Sequence, residues 1–174
     1  MATLYLIRHG EPEVRGVFLG QMDPPLSIAG RMQVAGSLAE IEVAITYASP
    51  LRRARETAEY VRSPRRTIMQ DLREIDFGEW TGKTWQEIEA GWSELARRKA
   101  ADWLGVAAQG GESWRQLLNR IEPVWRTIRT GPMPAAIVAH QAVNAALANL
   151  IDGRDPLVFA QQYGEVTLID YAND

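Results

Sequence analysis

Leu4-Tyr5-Leu6-Ile7-Arg8-His9-Gly10 sets a short apolar run directly against a cation, an imidazole and a glycine. Four consecutive apolar residues, one β-branched and one aromatic, suit a strand buried on both faces of a sheet. The same pattern returns at 43–48, 135–139 and 166–169, with a shorter candidate at 67–69. Helical stretches alternate with these runs over 27–39, 50–61, 85–104, 113–130 and 142–150. Ser27 and Ser49 are suitable N-caps, Pro50 stands where a first-turn proline is tolerated, and Gly153 is a stop signal after the last helix. This alternation predicts an α/β fold, a three-layer α/β/α sandwich around a mostly parallel sheet. Ligands of such sheets bind beyond the carboxyl ends of the strands, which is where His9 stands.

With 174 residues, the chain is expected to form one domain over 1–174, large enough to bury a core without disulfide or metal staples. A hydrophobic share of 46% with 24% charged residues excludes a disordered chain. The residues 105–111 read as a loop within the domain. The net charge of -3, with lysines and arginines spread along the chain, argues against a nucleic-acid partner. Absence of cysteine removes disulfides, thiolate metal sites and cysteine nucleophiles. The first apolar run is too short for a signal peptide or membrane span, so a cytoplasmic protein with no membrane partner is expected.

Only two histidines occur, and each follows a buried-type strand: His9 after 4–7 and Arg8, His140 after 135–139. A neutral histidine hydrogen-bonded at a strand end can be purely structural, but the pairing favours a ligand site. Arg8 precedes His9, and Arg53 falls in the first turn of the helix after the 43–48 strand. Arginine and a helix N-terminus both attract an anion such as phosphate. Arg52 and Arg55 fit a solvated face of that helix better than Arg53 does. An acid is available in Leu72-Arg73-Glu74-Ile75-Asp76-Phe77-Gly78-Glu79, where spacing leaves Glu74, Asp76 and Glu79 as alternatives. These residue types suit phosphoryl transfer through a covalent intermediate. An imidazole attacks phosphorus, arginines and a second histidine hold the equatorial oxygens, and a carboxyl protonates the leaving oxygen.

Leu6-Ile7-Arg8-His9-Gly10-Glu11 resembles the signature of the histidine phosphatase superfamily, the phosphoglycerate mutase-like proteins. Gly20-Gln21-Met22-Asp23 with Leu26, Ser27 and Gly30, Ser49-Pro50-Leu51-Arg52-Arg53-Ala54 with Glu56-Thr57-Ala58, the 72–82 segment, Gly110-Gly111-Glu112-Ser113 and Val138-Ala139-His140 match its further motifs in order. The resemblance implies a phosphoglycerate mutase-like fold with a helical cap at about 80–125. It implies that Arg8, His9, Arg53 and His140 form the phosphate pocket, that His9 is phosphorylated and that Glu74 is the proton donor. No cofactor and no metal are implied. Gln21 falls in a loop motif and is taken with the substrate-binding residues. Gln141 replaces the glycine usual after the second histidine, as a further donor or a narrowing of the pocket. Arg15 stands where relatives often carry an asparagine that touches phosphate, with a solvent-facing side chain as the plainer reading.

Mutases of the family carry added segments and are longer, so this chain resembles the compact phosphatases. The implied partner is a small-molecule phosphomonoester, with α-ribazole phosphate as the specific expectation. A phosphoglycerate mutase-type phosphotransferase, a noncatalytic phospholigand-binding regulatory module and a metal-dependent hydrolase are the alternatives. A homodimer is the assembly left open. All six tryptophans fall between Trp80 and Trp125, where they either line an aromatic mouth or fill helix faces packed into a core.

Overall fold

The computed structural model describes residues 1–172. Its five strands are β1 (Ala2–Arg8), β2 (Ile45–Ala48), β3 (Arg66–Ile68), β4 (Ala135–Ala139) and β5 (Val166–Tyr171), in the order β3-β2-β4-β1-β5. β1 to β4 run parallel, and β5 pairs antiparallel with β1. Every residue of β4 is completely buried, as a central strand covered on both faces requires.

Side chains alternate between the two faces of the sheet. Leu4, Leu6, Ala135, Ile137 and Ala139 pack against α5 (Trp114–Arg129) and α6 (Gln141–Asp152). Ile7, Ala136 and Val138 meet α1 (Ile28–Ser37) and α2 (Arg52–Ala58) on the other. The expected three-layer sandwich is therefore the architecture observed. Trp80, Ile88, Ala96 and Ala108 form a third, smaller core with α3 (Trp85–Gly91) and α4 (Ser93–Ala101).

Three local expectations are corrected. The single helix over 85–104 is two, broken at Trp92, whose backbone leaves the helical region (φ -135°, ψ 47°). Ser49 does not cap α2: the helix starts at Arg52, and the Ser49 hydroxyl instead accepts from the Leu51 amide. β5 is an edge strand rather than a doubly buried one, with Leu168 55% exposed and Ile169 alone fully covered. Its apolar run ends at Asp170, whose carboxylate accepts from the Thr3 hydroxyl on the neighbouring β1 (2.6 Å). Ser27 caps α1 by accepting from the Gly30 amide, and Gly153 ends α6 in the left-handed region (φ 76°).

Candidate active site

β1 and β4 end in register, Arg8 opposite Ala139, so the next residues, His9 and His140, stand side by side at the carboxyl edge. Their rings lie 5.1 Å apart. The His9 amide donates to the Ala139 carbonyl (3.0 Å), fixing its backbone to the neighbouring strand. Gly10 then crosses α1 at close range. A Cβ there would sit 2.8 Å from Val34, and one on Gly30 would sit 2.1 Å from the Glu11 carbonyl, so only glycines permit this approach. The Gly10 amide donates to the Thr57 hydroxyl (2.9 Å), tying the turn to α2.

The His9 imidazole is oriented by its own strand end. Nδ1 lies 2.7 Å from the Gly10 carbonyl, which can only accept, so Nδ1 carries the proton and Nε2 presents a lone pair. Arg53 Nε donates to that Nε2 at 3.3 Å. Burial, then the Arg53 guanidinium, holds the His9 pKa well below 6.5, so the ring is neutral at neutral pH. His140, completely buried, shares a 2.7 Å hydrogen bond between Nε2 and the Ser49 hydroxyl, and its Nδ1 has no partner among the described residues. Burial and the same arginine lower its pKa too.

Arg53 alone of the three arginines near the start of α2 is buried, at 1% exposure; Arg52 and Arg55 face solvent. Its Nη1 and Nη2 donate to the carbonyls of Met22 (2.6 Å) and Gly20 (2.9 Å), so the 20–22 loop serves to aim the guanidinium. Arg8 donates to the Gln161 carbonyl and stacks on the Tyr163 ring, 4.3 Å from its centroid, leaving its buried Nε without a partner. Two guanidiniums thus converge on the open face of a neutral imidazole.

Glu74 closes the other side of the same cavity, whose wall includes Arg8, His9, Arg53, Phe18 and Tyr163 and whose volume is about 190 Å³. Burial raises its pKa above the ordinary 4.5, partly opposed by the Ile75 amide and Arg53. Its backbone is fixed from α5: Arg120 donates to the Asp71 carbonyl and, at 3.3 Å, to the Glu74 carbonyl. The same guanidinium pairs with Glu112 at 2.7 Å, and Glu112 accepts from the Asp76 amide (3.3 Å).

The other expected site residues are less uniform. Asp76 accepts from the Gly78 amide and Glu79 is exposed, so Glu74 is the only one of the three candidate acids on the cavity wall. Gln141 lines the cavity, but its amide is occupied, donating to the Phe159 carbonyl (2.7 Å) and accepting from the Gln161 amide (2.9 Å). It is a clamp on the segment that carries Gln161 and Tyr163, rather than a free phosphate donor. Gln21 reaches only the Glu74 carbonyl, at 3.5 Å, and does not line the cavity. Arg15 takes the plainer, solvent-facing course and not the phosphate-binding one: its side chain is 62% exposed and paired with Glu11 (2.9 Å), outside the cavity wall. Sequence reasoning missed Tyr163, Gln161 and Phe18, because nothing in a 160–164 loop signals that it folds back over a strand end.

A second cavity, of about 170 Å³, adjoins the first, sharing Glu74, Phe77 and Gln141 with it. Ile75, Trp103, Leu104, Trp114 and Ala145 make its wall mostly carbon.

The model of the histidine phosphatase superfamily (branch 1) matches residues 4–174. The chain belongs to that superfamily. It is 33% identical to a phosphoserine phosphatase 1 of Hydrogenobacter thermophilus, over 74% of this chain and 65% of that one, so it spans just under two thirds of that relative. A glucosyl-3-phosphoglycerate phosphatase of Mycobacterium tuberculosis is also 33% identical, over 83% of this chain and 73% of the relative. Among solved structures, an α-ribazole phosphatase from Shigella flexneri superposes with a TM-score of 0.84 at 26% identity, covering 97% of this chain and 90% of the other. Among the described residues, no helix is long and apolar enough to cross a membrane.

Proposed function

We propose that this histidine phosphatase superfamily member hydrolyses phosphomonoesters of a small metabolite through a phosphohistidine at His9. The observation that carries the reading is the His9 ring itself. It is neutral, its Nδ1 proton is held by Gly10, and its Nε2 lone pair, which accepts from Arg53 Nε, belongs to the wall of a cavity that two guanidiniums and a carboxyl share.

In the first step the Nε2 lone pair attacks phosphorus and the bond to the ester oxygen breaks. Glu74, whose burial favours the protonated carboxyl, gives its proton to the departing oxygen, and the alcohol leaves. Arg8 and Arg53 hold the three phosphoryl oxygens as charge spreads over them, and His140 is close enough to His9 to join them. In the second step water attacks the phosphoryl group, Glu74 takes the water proton, the N–P bond breaks, and neutral His9 and inorganic phosphate result.

The residues over 80–113 act as a cap on this site in the same reading, shorter than the 80–125 expected, because α5 packs on the sheet as part of the main core. Relatives act on different alcohols, and α-ribazole phosphate, the substrate class named for the Shigella protein, is the first candidate among them. A panel of phosphorylated metabolites, assayed with and without excess EDTA, tests the proposal. Phosphate release from at least one monoester that survives the chelator is expected; release abolished by EDTA and restored by a divalent metal would overturn the phosphohistidine route.

A further inference from the structure

The apolar cavity beside Glu74 points to the chemistry of the leaving group. We infer that it is the leaving-group subsite and that it selects flat, apolar alcohols over charged or polyhydroxylated ones, an inference that rests on Glu74 being the proton donor of the proposed reaction.

The cavity shares Glu74, Phe77 and Gln141 with the phosphate pocket and extends from them away from the arginines. A monoester whose phosphorus lies against His9 Nε2, with its ester oxygen at the Glu74 carboxyl, therefore directs the rest of its alcohol into this space. Trp103 and Trp114 offer flat ring surfaces there, and Ala145 contributes only a methyl group to the same wall. Beside Glu74, the only charged side chain on the wall is Lys99, 7% exposed. Its ammonium is already engaged by the carbonyls of Trp103 and Val106 (the latter at 2.6 Å) and lies 4.7 Å from the Trp103 ring centre. Lys99 therefore fixes the Trp103 wall rather than offering a free donor. An alcohol rich in hydroxyls would lose its water here without gaining partners, and one bearing an ammonium would meet a like charge. A planar hydrocarbon surface loses little water and gains two aromatic contacts.

Two aryl phosphates of nearly equal leaving-group acidity, phenyl phosphate and 2-naphthyl phosphate, separate size and flatness from chemical reactivity. The expected result is a kcat/KM about tenfold higher for the naphthyl ester, with phosphoserine turned over more slowly than either. Trp103→Ala should bring the naphthyl-to-phenyl ratio close to one while inhibition by inorganic phosphate is retained, showing the phosphate pocket intact. Calorimetric titration of 2-naphthol into His9→Ala reads the cavity without chemistry, and binding that Trp103→Ala weakens is expected. Equal kcat/KM for the two esters, or a ratio and a naphthol affinity unmoved by Trp103→Ala, would overturn the subsite and leave the phosphohistidine reading standing. Turnover surviving in His9→Ala, with naphthol bound as expected, would overturn the mechanism instead and leave the aromatic cavity.

Discussion

At the scale of single residues, two opposed displacements define the site. Burial and neighbouring arginines push the histidines toward the neutral form, while burial pushes Glu74 toward the protonated form. The first step needs neutral His9 with protonated Glu74, and the two displacements widen the pH range over which both forms coexist. In the proposed reaction the acid limb of kcat/KM is expected to follow His9, displaced downward, and the alkaline limb Glu74, displaced upward. Glu74→Gln should abolish the alkaline limb and slow alkyl phosphates by about 100-fold or more, with 4-nitrophenyl phosphate far less affected because its leaving group needs no proton. Equal losses on both, read from kcat, would exclude Glu74 as the acid. His9 and His140 were legible because only two histidines exist and both end strands. Glu74 was not separable from Asp76 and Glu79 by spacing, since what distinguishes it is which acid turns inward.

The elements explain how residues far apart in sequence are brought to one site. Each parallel strand end delivers one component: β1 brings Arg8 and His9, β4 brings His140, and β2 leads through Ser49 into α2 and Arg53. Glu74 sits on a segment without regular structure, and Arg120 on α5 supplies the rigidity by bonding the carbonyls of Asp71 and Glu74 while paired with Glu112. Arg120→Met should cost about 2 kcal/mol of stability, because it removes the cation paired with Glu112 and the donor to the Asp71 and Glu74 carbonyls. It should also lower turnover of alkyl phosphates more than that of 4-nitrophenyl phosphate, with competitive inhibition by phosphate unchanged. A uniform loss across leaving groups would reduce Arg120 to a structural role. The strand pattern was readable from short apolar runs, and the antiparallel course of β5 was not, because pairing direction leaves no mark in four residues. The break at Trp92 was signalled only by the flanking Gly91 and Ser93, and a single glycine inside a helical pattern is tolerated too often to mark an end.

Across the whole molecule, the tryptophans divide between two tasks that composition could not separate. Trp80, Trp85 and Trp92 fill the small core, Trp125 packs on Tyr171 with ring centres 4.9 Å apart, and Trp103 and Trp114 line the apolar cavity. Burying both histidines neutral has a global cost in acid. As pH falls through about 6.5, the unfolded histidines take up protons and the folded ones resist. The unfolded chain then binds more protons, and stability declines. Glu74 acts oppositely, since the folded carboxyl holds its proton above 4.5, but it is one group against two. The melting temperature should therefore fall between pH about 7.5 and about 5.5, and less steeply in His140→Asn; a flat or rising profile in the native protein would contradict the buried neutral pair. In the proposed reaction His9 Nε2 forms a bond to phosphorus. Rapid quenching in alkali during turnover of a phosphorus-32 monoester tests it directly, because phosphohistidine survives base and is lost in acid. Acid-labile label on the peptide containing His9, absent from His9→Ala, is the result predicted; label on another residue, or none under conditions where turnover is seen in both proteins, would contradict it.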